Sequence, residues 1–497
     1  MKLNNPTGTR GCPPVTGDPN FVCGKPQIET DNSSRSDAQK GVGDPAALFP
    51  MPLAAFEQYM LMDEDSKSPP TFFIQFQMKG LLNLPALVEA YHEAVRRHPL
   101  LCCRVERLKG RYCWVWSPES VRSAELNTDV WRAAKPWMRP INLFVESGVR
   151  AWGEVSDAET EITLQFHHAC CDGIGASQFL EDIAVYYARL TTTDRPLPEL
   201  RPLRPEALLT RADAALRRVG WLPGSLPRRL AVMLRDSLDF LFLERKEVLR
   251  AMPGDDNRKE SEEFNLQSEY LDRAATRRLR NAASRTNVTL NDILMRDLME
   301  TMEEWNRESG GAHRRKLISV VIPTSLRGPE DDQLPAANVL GYAFPVRTRK
   351  EMRDSQMLLT DLGEEMQKFM AAQYGWLFVQ GLMIAQRIPF LMSLSRMMLR
   401  HQCMGMAVLS HMGNRLNSIS SRLNTVGEGI RVGNMILTEI RCVPPLRRGT
   451  HAAAATYIFG GRLMVNLRCD PATFGVCQTR QLLDRYVARL KRSADEG

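Results

Sequence analysis

The chain has 497 residues, 43% of them hydrophobic and 25% charged, with a formal charge of +7. That composition belongs to packed globular proteins and excludes a disordered or collagen-like chain, and the length predicts two cores rather than one. No uninterrupted apolar stretch approaches the roughly 20 residues of a membrane span. The eleven cysteines include no CxxC pair, which without a secretory signal predicts reduced thiols and a cytoplasmic location.

Taken in chain order, residues 1–45 are rich in Pro, Gly, Ser, Asn and Asp and lack an apolar segment, so they predict a disordered tail. Residues 46–195 predict a first α/β unit. Within it, residues 161–166 alternate polar and apolar as a half-buried strand does. After Gly173, the apolar positions Ala176, Phe179, Leu180, Ile183, Ala184 and Tyr187 recur at helical spacing. Residues 196–262 predict a basic helical linker, since 201–250 hold eleven Lys and Arg against six Asp and Glu, among them Arg217, Arg218, Arg228 and Arg229. Such a stripe attracts phosphates, an anionic carrier protein or a membrane surface, or is a solvated helix face. Nucleic acid is the weakest partner, because no zinc-finger spacing or aromatic RNA-binding motif accompanies the charge.

Residues 263–497 predict a second α/β unit. Residues 271–305 form one long helical pattern, with Thr289 or Asn291 as a cap inside it. The apolar, β-branched run at 317–323 predicts a buried strand. Residues 376–398 are apolar but interrupted by Gln380, Gln386, Arg387, Pro389 and Arg396. Their methionines, with Met404 and Met406, fit either core packing or an adaptable lipophilic wall, and a peripheral membrane contact stays open. Residues 457–465 read as two strands about Gly460-Gly461, and 478–491 as a final helix.

The stretch that carries chemistry is His167-His168-Ala169-Cys170-Cys171-Asp172-Gly173. It joins the 161–166 strand to the following helix, and strand parity puts His168 on the face of Ile162, Leu164 and Phe166, with His167 opposite. A histidine at such a junction suits a general base near neutral pH. Cys170 or Cys171 as a nucleophile, and the His/Cys/Asp group as metal ligands, are the competing readings. Adjacent residues converge poorly on one tetrahedral ion, so no metal is expected. No P-loop, dinucleotide glycine fingerprint or nucleophile elbow is present, which disfavours phosphoryl transfer, hydride transfer and serine hydrolysis.

The HHxxxDG pattern resembles the signature of the CoA-dependent acyltransferase superfamily, which includes chloramphenicol acetyltransferase, peptide-synthetase condensation domains and wax ester synthases. Further segments resemble the family in the same order. These are Leu84-Pro85-Ala86-Leu87 leading to Arg97-His98-Pro99-Leu100-Leu101, then Val288-Thr289-Leu290-Asn291-Asp292, Ile322-Pro323-Thr324-Ser325-Leu326-Arg327, Asn338-Val339-Leu340-Gly341 and Ser410-His411-Met412-Gly413. Two departures stand out: the DFGWG sequence of plant-type alcohol acyltransferases is absent, and His411 replaces an asparagine.

The resemblance implies an α/β fold of two chloramphenicol-acetyltransferase-like subdomains, a pseudo-dimer with the active-site channel between its halves. It implies direct transfer of an acyl group from a thioester, acyl-CoA before a phosphopantetheinyl carrier protein, to a small-molecule or lipid alcohol. His168 would be the base, with no bound cofactor and no covalent intermediate. His167, Asp172, Gly173 and Arg327 would support the motif, Asp172 pairing with Arg327, and Gly173 would permit a turn that a side chain penalises. Asn338, Gly341, Ser410 and Gly413 would belong to the channel or its loops. Carrier-dependent condensation and a non-catalytic binding protein of the same fold are the alternatives.

Overall fold

A computed structural model describes residues 44–63, 69–126, 139–156, 159–193, 196–213, 246–254, 265–310, 317–371, 375–388, 390–391, 393–394, 397 and 403–496. The expected tail up to residue 43 lies outside the described residues. So do 214–245, which hold Arg217, Arg218, Arg228 and Arg229 of the basic linker.

Among the described residues, the strands form two seven-stranded sheets and a three-stranded one. In the first large sheet, Thr71–Lys79 and Glu159–His167 pair antiparallel at the centre, with Phe72 opposite Phe166 and Thr71 opposite His167. Val149–Val155 and Glu125–Leu126 extend it on one side. On the other side Met435–Val443, Gly429–Val432 and Thr425–Val426 complete it. This sheet is therefore built from early and late chain together. The second sheet runs Leu340–Ala343, Ile318–Ser325, Ala407–His411, Ala452–Phe459, Arg462–Cys469 and Leu266–Leu271, with Val346–Arg347 paired to Ile318–Ser325.

The alternation at 161–166 predicts one wet face, yet Thr163 and Gln165 are as buried as Leu164 and Phe166. Their polar groups are satisfied inside the protein. Gln165 Nε2 donates to the Arg139 carbonyl at 2.8 Å, Trp152 Nε1 donates to Gln165 Oε1 at 3.2 Å, and Thr163 Oγ1 accepts from Gln75 Nε2 at 3.2 Å. A strand satisfied in this way can be covered on both sides without leaving orphaned donors.

Helix Leu84–Arg97 begins at Asn83, whose side chain accepts from Ala86 N at 3.2 Å, and has Pro85 in its first turn. Its buried positions Ala86, Leu87, Ala90, Tyr91, Ala94 and Val95 lie on one face. That face meets helix Gly173–Thr191, whose Phe179 packs edge-on against both Tyr91 and Phe166. Burying an aromatic side chain of this kind stabilises by about 1.5 to 3 kcal/mol.

The single long helix expected over 271–305 is two helices, Arg273–Arg285 and Leu290–Glu308. Asn287 takes φ +55 between them, and Thr289 opens the second through a capping box with Asp292. Helical periodicity runs through such a break because both pieces face the same core. Tyr457 to Val465 forms the hairpin about Gly460 and Gly461, both at positive φ, and the last helix is Val476–Glu496. No helix among the described residues is long and apolar enough to cross a membrane.

Between Val443 and Ala452 the chain passes from the first large sheet to the second. Pro444, Pro445, Leu446 and Arg447 of this crossing segment line a cavity, and His168, the residue after Glu159–His167, lines it too.

Candidate active site

Strand Glu159–His167 ends at the cavity, and its ladder runs one residue further, His168 N donating to Pro70 O at 2.8 Å. The His168 ring lies 5.1 Å from the Phe72 ring, which stacks on Phe166 at 5.2 Å, so His168 sits on the Phe166 side and lines the cavity. His167 turns the other way and is fully buried, its Nδ1 accepting from Ala169 N at 3.1 Å. Burial, reinforced by the neighbouring His168, pushes the His167 pKa down to about 3, so this ring is neutral at physiological pH.

His168 is half-buried. Burial lowers its pKa, while the Asp172 carboxylate opposes that shift. Asn338 ties His168 from the second sheet's side. Its Nδ2 donates to the His168 carbonyl and lies 3.1 Å from His168 Nδ1.

Asp172 is fully buried and all its contacts serve the loop. Oδ1 accepts from Gly175 N at 2.8 Å, capping helix Gly173–Thr191, and Oδ2 accepts from Val339 N at 3.0 Å and from Arg327 Nη1 at 2.5 Å. Arg327 Nη2 and Asp172 N both donate to the Ala337 carbonyl, at 2.8 and 3.2 Å. His98 adds a further tie, its Nδ1 accepting from Ala336 N at 2.8 Å while Nε2 lies 3.4 Å from Asp182. The segment from Ala336 to Val339 is thereby fastened to the HHxxxDG turn from both sides.

The glycines in this turn serve close approach. Gly173 has no positive φ, contrary to the expectation that it relieves a turn; a Cβ there would stand 3.0 Å from Met412 Sδ. A Cβ on Gly175 would meet Ala336 Cα at 3.0 Å and Ala337 N at 3.1 Å. Cys170 and Cys171 are fully buried, and burial pushes both thiols well up. Cys170 Sγ donates to the His167 carbonyl at 3.0 Å and Cys171 Sγ to the Asp172 carbonyl at 3.2 Å. Thiols held protonated in this way are poor nucleophiles. Among the described residues no three His, Cys, Asp or Glu side chains gather as metal ligands.

The cavity has a volume of about 290 Å³ and a mostly apolar wall, including Phe72, Ile74, Val321, Pro323, Met404 and Val408. Its polar lining includes His168, Ser325, Ser410, His411, Thr450 and the pair Asp63 and Arg447, with Arg447 Nε 2.9 Å from Asp63. Ser410 and His411 end strand Ala407–His411. Gly413 takes φ +57 just beyond, and its carbonyl accepts from Ile458 N at 2.8 Å. Gly341 is buried in strand Leu340–Ala343 opposite Thr324, away from the cavity lining. Of the Met-rich segment, Met404 reaches the cavity, Met406 is buried in the second core, and Met383 packs half-buried on the first.

Sequence reasoning missed the roles of His98 and of the Arg447 crossing segment. His98 was visible inside its Arg-His-Pro run, but nothing local announced a contact with residue 336. Asp63 and Arg447 lie 384 positions apart, and no sequence pattern links them.

No protein-family model and no curated protein matches the chain. Solved structures do. The condensation domain of the monacolin K polyketide synthase is 13% identical with a TM-score of 0.61, over 89% of this chain and 97% of that one. The starter condensation domain of rhizomide synthetase, solved with C8-CoA and Leu-SNAC, is 15% identical with a TM-score of 0.60, over 91% and 96%. Polyketide synthase associated protein 5 from Mycobacterium tuberculosis is 14% identical with a TM-score of 0.58, over 90% and 98%. The chain therefore has the condensation-domain fold, an α/β pseudo-dimer of two chloramphenicol-acetyltransferase-like subdomains.

Proposed function

We propose that this protein, folded as condensation domains are, is an acyltransferase that moves an acyl group from a thioester, acyl-CoA in the first instance, to a hydroxyl acceptor. The observation that carries the reading is His168: half-buried, its pKa lowered by burial so that it is neutral at physiological pH, tied by Asn338 and with its ring on the wall of an apolar cavity. In the reaction, Nε2 takes the acceptor's hydroxyl proton as its oxygen attacks the thioester carbonyl. The tetrahedral intermediate collapses with cleavage of the C–S bond, and the proton on His168 passes to the departing thiolate. The products are an ester and a free thiol, and no bond to the protein forms. Asp172, Arg327 and Asn338 hold the loop that presents the base, and His167 is a neutral packing group.

The apolar lining supports a lipophilic acyl group, and the neighbour solved with C8-CoA supports a CoA thioester. Carrier-dependent condensation is the second reading, favoured by the synthetase condensation domains among the structural neighbours. Either activity fits a cytoplasmic setting.

The test is product identification by mass spectrometry after incubation with acyl-CoAs, acyl carrier proteins, alcohols, amines and diacylglycerol. His168→Ala is expected to slow transfer by about 10² to 10⁴ with the fold retained, whereas a combined Cys170→Ala and Cys171→Ala variant keeps most activity. Near-normal turnover by folded His168→Ala, or an acyl group trapped on either cysteine, refutes the mechanism.

A further inference from the structure

His411 is a second imidazole on the cavity wall, delivered from the other large sheet. Its strand end packs against the motif turn, since a Cβ on Gly173 would reach Met412 Sδ at 3.0 Å. His411 and His168 thus belong to one site. The His411 ring is held on one side, Nδ1 lying 2.8 Å from Thr456 Oγ1. With Nδ1 donating to that hydroxyl oxygen, Nε2 is left as a lone-pair acceptor with no hydrogen-bond partner among the described residues. Burial lowers the His411 pKa to about 4. The ring is therefore neutral at physiological pH and remains an acceptor.

An acceptor on a mostly apolar wall needs a donor from whatever fills the cavity, because a polar group desolvated without a partner costs free energy. A thioester whose carbonyl reaches His168 brings its pantetheine arm with it, and that arm carries amide N–H donors in an otherwise extended chain. We propose that His411 is a positioning residue whose Nε2 accepts a hydrogen bond from an amide N–H of the pantetheine arm, fixing the thioester against His168. This deepens the acyltransfer reading and rests on it. Coenzyme A and a carrier-bound arm share the amide, so the contact serves either donor.

The test uses the full-length protein, wild type and His411→Ala, with three octanoyl donors. Octanoyl-CoA and octanoyl-N-acetylcysteamine carry the amide nearest the sulfur, and S-ethyl octanethioate lacks it. His411→Ala is expected to raise KM for the first two by about three- to tenfold, the worth of one neutral hydrogen bond. KM for the ethyl thioester stays as in wild type, and kcat falls by less than KM rises. His411→Asn, which offers a carbonyl oxygen, recovers part of the loss. Calorimetric binding of octanoyl-CoA in a His168→Ala background gives a readout independent of turnover and is expected to weaken by the same factor. An equal loss with the ethyl thioester, or unchanged KM and Kd for octanoyl-CoA in folded His411→Ala, overturns the assignment. Octanoyl-CoA binding that depends on His411, in a protein that transfers to no acceptor, would instead refute the acyltransfer reading and leave this contact standing.

Discussion

The pair Asp172 and Arg327 allows a quantitative test of how the motif turn is held. Both side chains are almost entirely out of solvent, 0% and 8% exposed, with 2.5 Å between the charged atoms. Removing one partner of such a pair leaves an uncompensated buried charge and costs about 3 to 5 kcal/mol. Asp172→Asn is the cleanest perturbation, because the amide oxygen can still cap the helix at Gly175 N while the charge is gone. The amide NH2 then replaces Oδ2, and both Val339 N–H and Arg327 Nη1 lose the acceptor they share. Arg327→Met removes the cation and its bond to the Ala337 carbonyl but keeps the apolar stem.

With a specific unfolding entropy of about 2.1 cal/mol/K per residue, a unit of this size shifts its melting temperature by about 1 °C per kcal/mol, so each single variant should melt about 3 to 5 °C lower. In the double variant neither charge is left alone, and the loss should fall short of the sum by about 1 to 3 kcal/mol. Differential scanning calorimetry of the four proteins at one scan rate measures this. Additivity within about 0.5 kcal/mol would show that the two side chains act independently and would refute the argument that charge pairing holds the turn.

Burial lowers the His168 pKa below its usual 6.5, so the base stays unprotonated into mildly acidic solution, and kcat/KM against pH should keep its plateau below pH 6.5 before falling on the acid side. An acid limb centred above 6.5 would contradict this, and His167, pushed to about 3, and His411, pushed to about 4, should contribute no limb between pH 5 and 9. Gly175→Ala places a methyl 3.0 Å from backbone atoms of the 336–337 segment, an overpacking that should cost about 1 to 3 kcal/mol and reduce activity by displacing Asn338. Equal stability and full activity in this variant, read by calorimetry and by the transfer assay, would show that the two segments approach less closely.

Chemistry-bearing positions were legible in the sequence where the signal is local. The polar and apolar alternation at 161–166 places a strand, and continuing its parity puts His168 and His167 on opposite faces. The helix after Gly173 follows from spacing, and the hairpin at 457–465 from its Gly-Gly pair. Local signals also misled where two environments give one pattern. Thr163 and Gln165 look solvent-facing because they are polar, and only the packing of Trp152 and Gln75 over them shows otherwise. Residues 271–305 keep one apolar period through the break at Asn287, since a capped pair of helices on one core repeats like a single helix.

What only the tertiary structure decided is everything that depends on distant chain meeting at the cavity. Residues 425–443 complete a sheet begun at Thr71, His98 grips Ala336, Asn338 fastens His168, and Arg447 meets Asp63 beside them. A strand's hydrogen-bonding edge is the same backbone in any sequence, so side-chain pattern fixes which face is buried and leaves open which strand lies alongside. The polar character of the cavity is decided the same way. It arises from side chains hundreds of residues apart whose burial, and therefore whose protonation, exists only once the two large sheets have folded.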